Sequence, residues 1–516
     1  MLSMSAIKGC IKRFLIGLLI LTLFLIFIGL ATYRPLPDNS HNIQTTHLAT
    51  NPDSKIAKML LPEVIKRKDE SGVYVLADSR DAFLARLALV ESAQDSLDVQ
   101  YYIYHDDLSG RLLSQRLLAA ADRGVRVRLL LDDHTMAGMD GVIKALDNHD
   151  RIEVRLFNPY MHRTFRPLGY LSDFFRLNRR MHNKSMTADS LVSIVGGRNI
   201  GDEYFDAGSG VMFADLDVAV VGDASRKTAN DFDRYWNSRS SYMASDIIGK
   251  VAPADLSGVS EASKAYLQLL TQTNFAKYLT DGDMPLVWAK TQLISDHPDK
   301  VLKKHKDSNI LVKYIAPLIQ NTQQELIIVS PYFVPTNQGK RLLSELAKNG
   351  KSVQVLTNTL AANDVAVVHS GYAKYREDLL QSGVRLYELK DNATVKPAKV
   401  RNAYDGQGAS LHAKTFMVDG RYLYVGSFNM DPRSANLNTE MGLIIESPVL
   451  AERLVKDLST NIPTHTYALS LNDEGKKVWT TTENGQLLER TTEPDSPLHR
   501  RIQVWIASHL PIEWLL

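Results

Sequence analysis

The sequence predicts an α/β protein in which two homologous α/β/α units, each with a mixed sheet, pack about a pseudo-twofold axis behind one apolar N-terminal helix. Two observations predict this fold class. Segments recur at one constant offset along the chain, and each half alternates β-branched strands with helical periodicity. The composition is that of a folded chain, since 44% of the 516 residues are hydrophobic and 23% are charged.

The first segment, residues 1–33, is predicted to be a transmembrane anchor. The stretch from Phe14 to Tyr33 carries no charge, and a helix of that length spans a hydrocarbon core of about 30 Å. A cleaved signal peptide is the alternative, but its apolar core runs only about 7–15 residues. Lys8, Lys12 and Arg13 precede the span, so the positive-inside rule predicts a cytoplasmic N-terminus. The remaining chain would lie on the periplasmic face of a bacterial inner membrane.

An internal repeat organises the rest of the chain. HNKSMTADSLVSIVGGRN, which starts at His182, recurs 230 residues later as HAKTFMVDGRYLYVGSFN, which starts at His412. Two shorter pairs, RLLS with RLLS and VRLF with VRLY, share this offset. Three pairs in the same order indicate a duplication. The predicted division is a polar tether at 34–68, a first domain at 69–222, a connecting segment at 223–282 and a second domain at 283–516.

Both halves show the alternating pattern of an α/β layered unit. Predicted strands are apolar and β-branched or aromatic, and predicted helices have apolar residues at helical spacing. In the first half they are strands Leu97–Tyr104, Val125–Leu131 and Ile152–Phe157 with a helix at Gly110–Arg123. In the second half they are strands Leu326–Val329, Val353–Leu356 and Val384–Leu389 with a helix at Arg341–Asn349. The connecting segment is predicted to be helical over Ser260–Leu279.

Two further segments combine arginines with aromatic residues, a pattern that suits an anionic bilayer surface. Residues 163–180 carry five arginines and four aromatic residues against one acidic residue, and the C-terminus reads RRIQVWIASHLPIEWLL. The alternatives are a solvated arginine-rich loop and a helix docked on the core. The sequence leaves both questions open.

The chemistry is predicted at the repeated motif, His182-x-Lys184-x4-Asp189 and His412-x-Lys414-x4-Asp419. A spacing of two residues places His and Lys on one face of a strand. Asn199 and Asn429 follow glycine-containing turns, each 17 residues beyond its histidine. Packed about a pseudo-twofold axis, two such units bring two His, two Lys and two Asn around one pocket. This constellation suits a phosphodiester, whose transition state gathers negative charge on oxygens that need donors.

Other chemistries find little support. The only cysteine is Cys10, which excludes intrachain disulfides and Cys-rich zinc sites. Gly350-Lys351-Ser352 resembles the end of a phosphate-binding loop, but Glu345 replaces its first glycine. His105 and His134 each lie near aspartates, which could indicate a metal site, but with no further ligands beside them a surface or structural role is favoured. We therefore predict neither metal nor cofactor, and the net charge of only +2 predicts no nucleic-acid partner.

The paired motif resembles that of the phospholipase D superfamily, and the resemblance covers nearly everything after the anchor. The strings YYIYHDDLSG, LLLDDH, RIEVRLFNP, RRMHNKS and LPIEWLL resemble bacterial cardiolipin synthases of the C type. The resemblance implies two phospholipase D-type domains and catalysis through a phosphohistidine. His182 would be the nucleophile and His412 the general acid and base.

The resemblance also implies roles for the neighbouring residues. Phosphoryl oxygens would be held by Lys184, Lys414, Asn199 and Asn429, while Asp189 and Asp419 would brace the site. Asp217 and Glu440, at the start of late strands, are candidates to orient the histidines through their second ring nitrogens. Surface carboxylates at strand ends are the alternative.

The implied activity is a membrane-anchored transphosphatidylase that makes cardiolipin from phosphatidylglycerol and a second phospholipid, with phosphatidylethanolamine a candidate. Its expected partners are membrane phospholipids and the bilayer. The alternatives are a hydrolytic phospholipase D, a superfamily nuclease, which the near-neutral charge disfavours, and a noncatalytic scaffold, which the two complete motifs disfavour. The sequence leaves the donor lipid, the oligomeric state and any accessory protein open.

Overall fold

The computed structural model describes residues 4–207, 212–258, 260–303, 309–391, 409–483 and 485–516. Its helices are α1 (Met4–Thr32), α2 (Lys55–Lys66), α3 (Ser79–Ser92), α4 (Leu108–Asp122), α5 (Asp140–Asp147), α6 (Gly169–Leu177), α7 (Asp202–Phe205), α8 (Asp223–Trp236), α9 (Ala244–Ile247), α10 (Glu261–Leu270), α11 (Asn274–Asp281), α12 (Ile310–Gln320), α13 (Thr336–Lys348), α14 (Ala366–Ala373), α15 (Arg376–Gln381), α16 (Pro432–Asn436), α17 (Pro448–His465) and α18 (Leu498–Ser508).

The strands are β1 (Ser71–Leu76), β2 (Ser96–Tyr101), β3 (Arg126–Asp132), β4 (Ile152–Phe157), β5 (Ser185–Ala188), β6 (Val192–Gly196), β7 (Met212–Ala214), β8 (Asp217–Gly222), β9 (Ser241–Met243), β10 (Val287–Ser295), β11 (Glu325–Val329), β12 (Ser352–Asn358), β13 (Arg385–Leu389), β14 (Ala409–Leu411), β15 (Lys414–Val418), β16 (Tyr422–Gly426), β17 (Met441–Glu446), β18 (Thr466–Leu471), β19 (Lys477–Glu483) and β20 (Gln486–Arg490).

Strand pairing shows the duplication directly. The first half runs β9-β4-β3-β2-β5-β6-β8-β1, and the second runs β10-β17-β16-β15-β11-β12-β13-β18-β19-β20. In each half three parallel strands, β2-β3-β4 or β11-β12-β13, stand beside an antiparallel strand that carries the motif, β5 or β15. The predicted fold, two α/β units with mixed sheets, is confirmed.

The two halves are joined through both backbone and core. Antiparallel pairing of β1 with β10 links the two sheets edge to edge, and β7 pairs with β14 in a small separate sheet that also crosses the halves. Between the sheets, Val195 and Val218 of the first half share one buried cluster with Val425 and Leu443 of the second. The side chains that pack the halves together therefore lie beside the motif strands.

Two predicted segments differ in detail from the structure. The helix predicted over Ser260–Leu279 is two helices, because Thr273 interrupts it and its side chain caps α11 by accepting from Ala276 N. The predicted tether is docked on the first domain and on the connecting segment. Arg128 of β3 donates to Thr45 O at 3.0 Å, Asn39 donates to Ser241 O at 2.9 Å, and the His47 backbone donates to Asp233 at 2.9 Å. The predicted domain boundaries stay a prediction. Helix α8, which opens the predicted connecting segment, contacts strands of both halves.

In the described part of the chain, one helix is long and apolar enough to cross a membrane. It covers Leu15–Thr32, with a mean hydropathy of 2.8 and only 6% of the span buried against the rest of the protein. Its last turns contact α6.

Candidate active site

The two motifs occupy equivalent places in the two halves. Lys184 immediately precedes β5, and Lys414 is the first residue of β15, with His182 and His412 each two residues earlier in the chain. Both histidines are only 8% exposed. The antiparallel motif strands lie in the middle of their sheets, which fixes the position of the side chains at their ends.

Each histidine is held by a carboxylate from the other half. His182 Nδ1 lies 2.8 Å from Glu440 Oε2, and His412 Nδ1 lies 2.6 Å from Asp215 Oδ2. The backbone crosses in the same way, because His182 N donates to Thr439 O at 2.9 Å and His412 N donates to Ala214 O at 2.8 Å. The site is therefore complete only where the two halves meet.

Glu440 lies where the sequence predicted an orienting carboxylate, but the prediction for Asp217 is wrong. Asp217 is fully buried and accepts from Arg86 at 2.9 Å and from Arg198 at 3.3 Å, so two guanidinium groups engage it away from His412. The residue that sequence reasoning missed is Asp215.

Strand register contains a signal that could have found Asp215. Gly196 pairs with Asp217 in the first half, and Gly426 pairs with Gly442 in the second, so Asp217 is the counterpart of Gly442. Counting two residues back from each leads to Asp215 and Glu440. The fixed offset of 230 hides this equivalence because the first half is five residues longer between its turn and its carboxylate.

The two lysines are buried beside the histidines. Lys184 Nζ donates to His182 O at 2.7 Å, and Lys414 Nζ donates to His412 O. Lys414 Nζ also lies 2.7 Å from His412 Nδ1. Because the ionised carboxylate of Asp215 can only accept, we assign the proton on Nδ1 to that bond. Burial lowers the pKa of Lys414 to about 8 and also lowers that of Lys184.

The environments of the two histidines differ at one pair of equivalent positions. Ser427 Oγ donates to Glu440 Oε2 at 2.5 Å, whereas at Gly197 a Cβ would lie 2.1 Å from Asp215 Oδ1. Burial raises the pKa of Glu440 to about 7. Burial acts in the same direction on Asp215, but His412 and Lys414 hold the pKa of that carboxyl well below its usual range.

Both histidines titrate below their usual range. Burial, followed by the charges of Lys184 and Lys414, lowers the pKa of His182 well below its ordinary value. The pKa of His412 is also lowered by burial and by Lys414, while Asp215 acts to raise it. The charges of Lys414 and His412 act on the pKa of His182, so the motif residues of the two halves lie close together.

Aromatic rings form the walls of the pocket. Tyr102 meets the His182 ring edge-on with centroids 4.9 Å apart, and its ring lies 5.4 Å from Lys184 Nζ. On the opposite side, the rings of Tyr204 and Phe213 lie 5.2 and 5.0 Å from His412. Sequence reasoning missed these walls because the aromatic residues lie outside the repeated motif.

The predicted asparagines occupy different settings. Asn199 accepts from Ile103 N at 3.1 Å and donates to Tyr204 OH at 2.9 Å, so it supports the wall beside His412. Asn429 is 4% exposed, and within the described ranges no donor reaches its side-chain oxygen. Contact of either amide with a phosphoryl group stays a prediction.

Asp189 and Asp419 each close the turn after a motif strand. Both have left-handed backbone conformations, with φ of 49° and 54°. Asp189 accepts from three consecutive backbone amides, those of Gln94, Asp95 and Ser96, at 2.9–3.0 Å. Asp419 makes the same contacts with residues 323–325. These bonds tie the motif hairpin to the start of the neighbouring strand.

One cluster of side chains has the spacing of a potential metal site. Among the described residues one group, His105, Asp107 and Glu203, has potential ligand atoms within 4.8 Å of one another, and all three are partly exposed. His134 instead pairs with Tyr160 OH at 2.7 Å. Independence of metal stays a prediction.

Comparison with known proteins places this geometry in a family. The profile described as "Cardiolipin synthase, PLD-like domain" matches residues 87–236 and 315–461, more than half of the chain. The chain therefore belongs to the cardiolipin synthase family of phospholipase D-like enzymes and is a cardiolipin synthase-like phosphatidyltransferase. Its particular likeness is to the C type: it is 45% identical over 472 residues to "Cardiolipin synthase C" of Escherichia coli, covering 90% of this chain and 100% of the relative.

More distant relatives agree with this placement. "Major cardiolipin synthase ClsA" of Bacillus subtilis is 26% identical over 395 residues, covering 76% of this chain and 69% of the relative. The crystal structure of a phosphatidylserine synthase from Haemophilus influenzae has a TM-score of 0.55 at 16% identity, covering 89% of this chain and 100% of that one. That likeness shows the fold.

Proposed function

We propose that the protein makes cardiolipin from phosphatidylglycerol and a second phospholipid by transferring a phosphatidyl group through a phosphohistidine. The observation that carries the proposal is the pair of crossed carboxylate–histidine contacts beside two buried lysines. Two histidines with fixed Nδ1 atoms present two Nε2 atoms to one pocket. Such a pair supplies both a nucleophile and an acid–base group without a nucleotide.

In the first half-reaction, His182 Nε2 attacks the phosphorus of the donor lipid. The new P–N bond forms as the P–O bond to the leaving headgroup alcohol breaks, and His412 Nε2–H donates its proton to the departing oxygen. Lys184 and Lys414 offset the negative charge that gathers on the phosphoryl oxygens. The products are a phosphatidyl-histidine and a free headgroup alcohol, which is glycerol when the donor is phosphatidylglycerol.

In the second half-reaction, a hydroxyl of phosphatidylglycerol loses its proton to neutral His412 Nε2 and attacks the phosphorus. The P–N bond breaks, which restores His182 and gives cardiolipin. Exchanging one alcohol for another nearly conserves bond energy, so no nucleoside triphosphate enters the cycle. Water in place of the acceptor would yield phosphatidate, so the aromatic walls that exclude water favour transfer over hydrolysis.

The different settings of the histidines support the division of roles. His182 is neutral at working pH because burial and two lysines disfavour its charged form, and a neutral imidazole is the nucleophilic form. His412 faces the ionised carboxylate of Asp215, which stabilises the imidazolium that an acid–base group must form.

The division of roles is tested by rapid quench with a labelled donor that has a good leaving group. His182→Ala should abolish both turnover and labelled protein. His412→Ala should lose about 10²–10⁴-fold in turnover yet accumulate acid-labile label, because deprotonation of the acceptor is also impaired. Label on His182→Ala and none on His412→Ala would reverse the assignment. Turnover without label in either variant would remove the covalent mechanism.

The product decides between transfer and hydrolysis. With phosphatidylglycerol in bilayers, we expect cardiolipin and glycerol in excess over phosphatidate, in EDTA and without CTP. Phosphatidate as the main product would establish the hydrolytic alternative, and a strict need for a divalent metal would overturn the cofactor-free proposal. We also propose that α1 anchors the protein in a bacterial inner membrane with the catalytic domain in the periplasm.

A further inference from the structure

Large exposed apolar side chains are concentrated in two segments outside α1. The first is α6 with its preceding loop, where Phe165 and Phe175 are 63% and 66% exposed. The second is α18 with the C-terminal residues that follow it, where Trp505 is 65% exposed. On α18 the exposed residues Leu498, Ile502 and Trp505 recur at helical spacing and form one face.

The first segment lies directly against the outer end of the apolar helix. A Cβ at Gly29 would be 2.6 Å from Leu171 O, so the helix backbone touches the backbone of α6. His162 Nε2 also lies 2.7 Å from Thr32 O. Gly29 is three residues inside the end of the span, which at 1.5 Å per residue places α6 roughly 4–5 Å below that end. Interfacial helices bury their apolar faces about 5–10 Å deep.

The two segments form one continuous surface. Arg433 donates through Nη2 to Asn178 Oδ1 at 2.9 Å, and Asn178 directly follows α6. The same guanidinium donates through Nε to Leu515 O at 3.0 Å, next to the half-exposed Trp514. Arg433 thus joins the end of α6 to the C-terminal segment.

The surface borders the active site on both halves. On the first half, Tyr170 of α6 contacts Tyr160 OH at 2.7 Å, Tyr160 contacts His134 at 2.7 Å, and His134 stacks on Tyr102 beside His182. On the second half, Arg500 of α18 donates to Asn363 O at 2.5 Å, and the adjacent Asp364 accepts from Tyr332 at 2.7 Å. The charge of Asp364 also acts to raise the pKa of Lys414, so this aspartate lies near the second motif. The two apolar segments therefore border the active site from both halves.

We propose that α6, α18 and the C-terminal residues form a membrane-contact surface that inserts into the headgroup–acyl boundary and opens the active site directly onto the lipid. The proposal rests on α1 spanning the bilayer. Four of the five arginines of residues 163–180 are already paired with carboxylates of the protein, Arg163 and Arg166 with Asp133, Arg176 with Asp173, and Arg180 with Asp132. The fifth, Arg179, is only 7% exposed, so these arginines do not supply the attraction. Insertion is driven by burial of aromatic and aliphatic side chains, so it does not require anionic lipid.

The test uses the full chain in phosphatidylcholine nanodiscs with one fluorophore per molecule. Cys10 is the only cysteine, so the Cys10→Ser protein has none. Single cysteines introduced into this protein can then each carry one environment-sensitive dye. Phe175→Cys and Ile502→Cys report on the two segments, and Leu23→Cys reports on α1. Leu487→Cys on β20 is the matched control, since Leu487 is 67% exposed but outside the proposed surface.

Nitroxide lipids labelled at the headgroup, at acyl carbon 5 or at acyl carbon 12 then measure depth. We expect positions 175 and 502 to be quenched several-fold more than position 487, most strongly by the shallow labels, and position 23 to be quenched most by the deep label. Quenching at 175 and 502 no greater than at 487 would overturn the proposal even if position 23 is quenched. A blue-shifted but unquenched dye at 175 would mean that protein covers the surface, which also overturns it. Loss of quenching at position 23 would overturn the anchor itself.

Discussion

At the scale of single residues, the site is asymmetric within a symmetric frame. Both histidines have Nδ1 held by a carboxylate from the opposite half. Yet Ser427 occupies the position of Gly197, and only the glycine leaves room for Asp215. Burial raises the pKa of Glu440 to about 7, whereas His412 and Lys414 hold the pKa of Asp215 well below its usual range, which distinguishes two otherwise equivalent imidazoles.

The raised pKa of Glu440 predicts that activity falls on the acidic side of the pH profile. Its pKa is raised to about 7, so the carboxylate that accepts from His182 Nδ1 is present above that pH and is lost as the pH falls through it. We expect kcat/KM to decline below about pH 7. Glu440→Gln should lower activity about 10–100-fold, as loss of an orienting partner does, and should remove this limb from the profile. An unchanged acidic limb in Glu440→Gln would show that another group controls it.

The lowered pKa of Lys414 predicts that this residue costs stability while it serves activity. Its pKa falls from about 10.4 in the unfolded chain to about 8 in the folded protein. The unfolded state therefore binds more protons between these values, and stability rises with pH across that window. Lys414→Met should abolish activity yet raise the free energy of unfolding at pH 7 by roughly 1–3 kcal/mol. Denaturation of both proteins at pH 7 and pH 10 checks this, and a stability gap that does not narrow at pH 10 would contradict it.

At the scale of elements, the motif hairpins are held by their terminal aspartates. Asp189 lies in a left-handed turn and gathers three amides at the junction of α3 and β2. The same arrangement at Asp419 is more exposed. The aspartate of each motif therefore fixes the position of the strand next to His and Lys.

This role makes Asp189 a residue for stability more than for chemistry. Asp189→Ala leaves buried backbone amides without their acceptor, at about 1–3 kcal/mol of unfolding free energy. We expect a clear drop in Tm with measurable residual turnover, whereas His182→Ala should keep its Tm and lose turnover. Asp419→Ala is the matched comparison and should cost less stability because its turn is partly solvated. Full loss of turnover in a folded Asp189→Ala protein would argue for a direct role in catalysis.

The sequence predicted local elements well and long-range partners only in part. Strands such as Ile152–Phe157 match the structure because period-two apolar patterns are local signals. Asp215 was missed because its identity depends on the register between β6 and β8, which an offset of 230 does not encode. The docking of residues 39–48 was missed because polar side chains that reach backbone carbonyls leave no periodic pattern.

At the scale of the whole molecule, the apolar helix α1 is attached to the catalytic body by more than a linker. The segment after α1 is hydrogen-bonded to the first domain through Thr45 and to the connecting segment through Asn39 and His47. The β1–β10 pairing and the core between the sheets then fix the second half relative to the first. The side of the membrane on which α1 emerges therefore sets the compartment of the active site.

The orientation is predicted by Lys8, Lys12 and Arg13 before the span. A reporter fused at Leu516 is a poor test. Leu516 is only 7% exposed and accepts from Arg433 N at 2.7 Å, so a fusion would disturb this contact. Cysteine labelling avoids this problem. In Cys10→Ser protein, Glu261→Cys places a thiol at an exposed position of α10, and the wild-type protein supplies Cys10 on the other side.

With a membrane-impermeant maleimide on intact spheroplasts, we expect Glu261→Cys to react fully and Cys10 to react only after lysis. The physical reason is that moving the folded catalytic body across the bilayer is impossible once α1 has inserted, so the two thiols report opposite compartments. The reverse pattern would place catalysis in the cytoplasm. Intact mass of the purified wild-type chain is the control: loss of the first residues would show that α1 is removed as a signal peptide and would overturn the anchor.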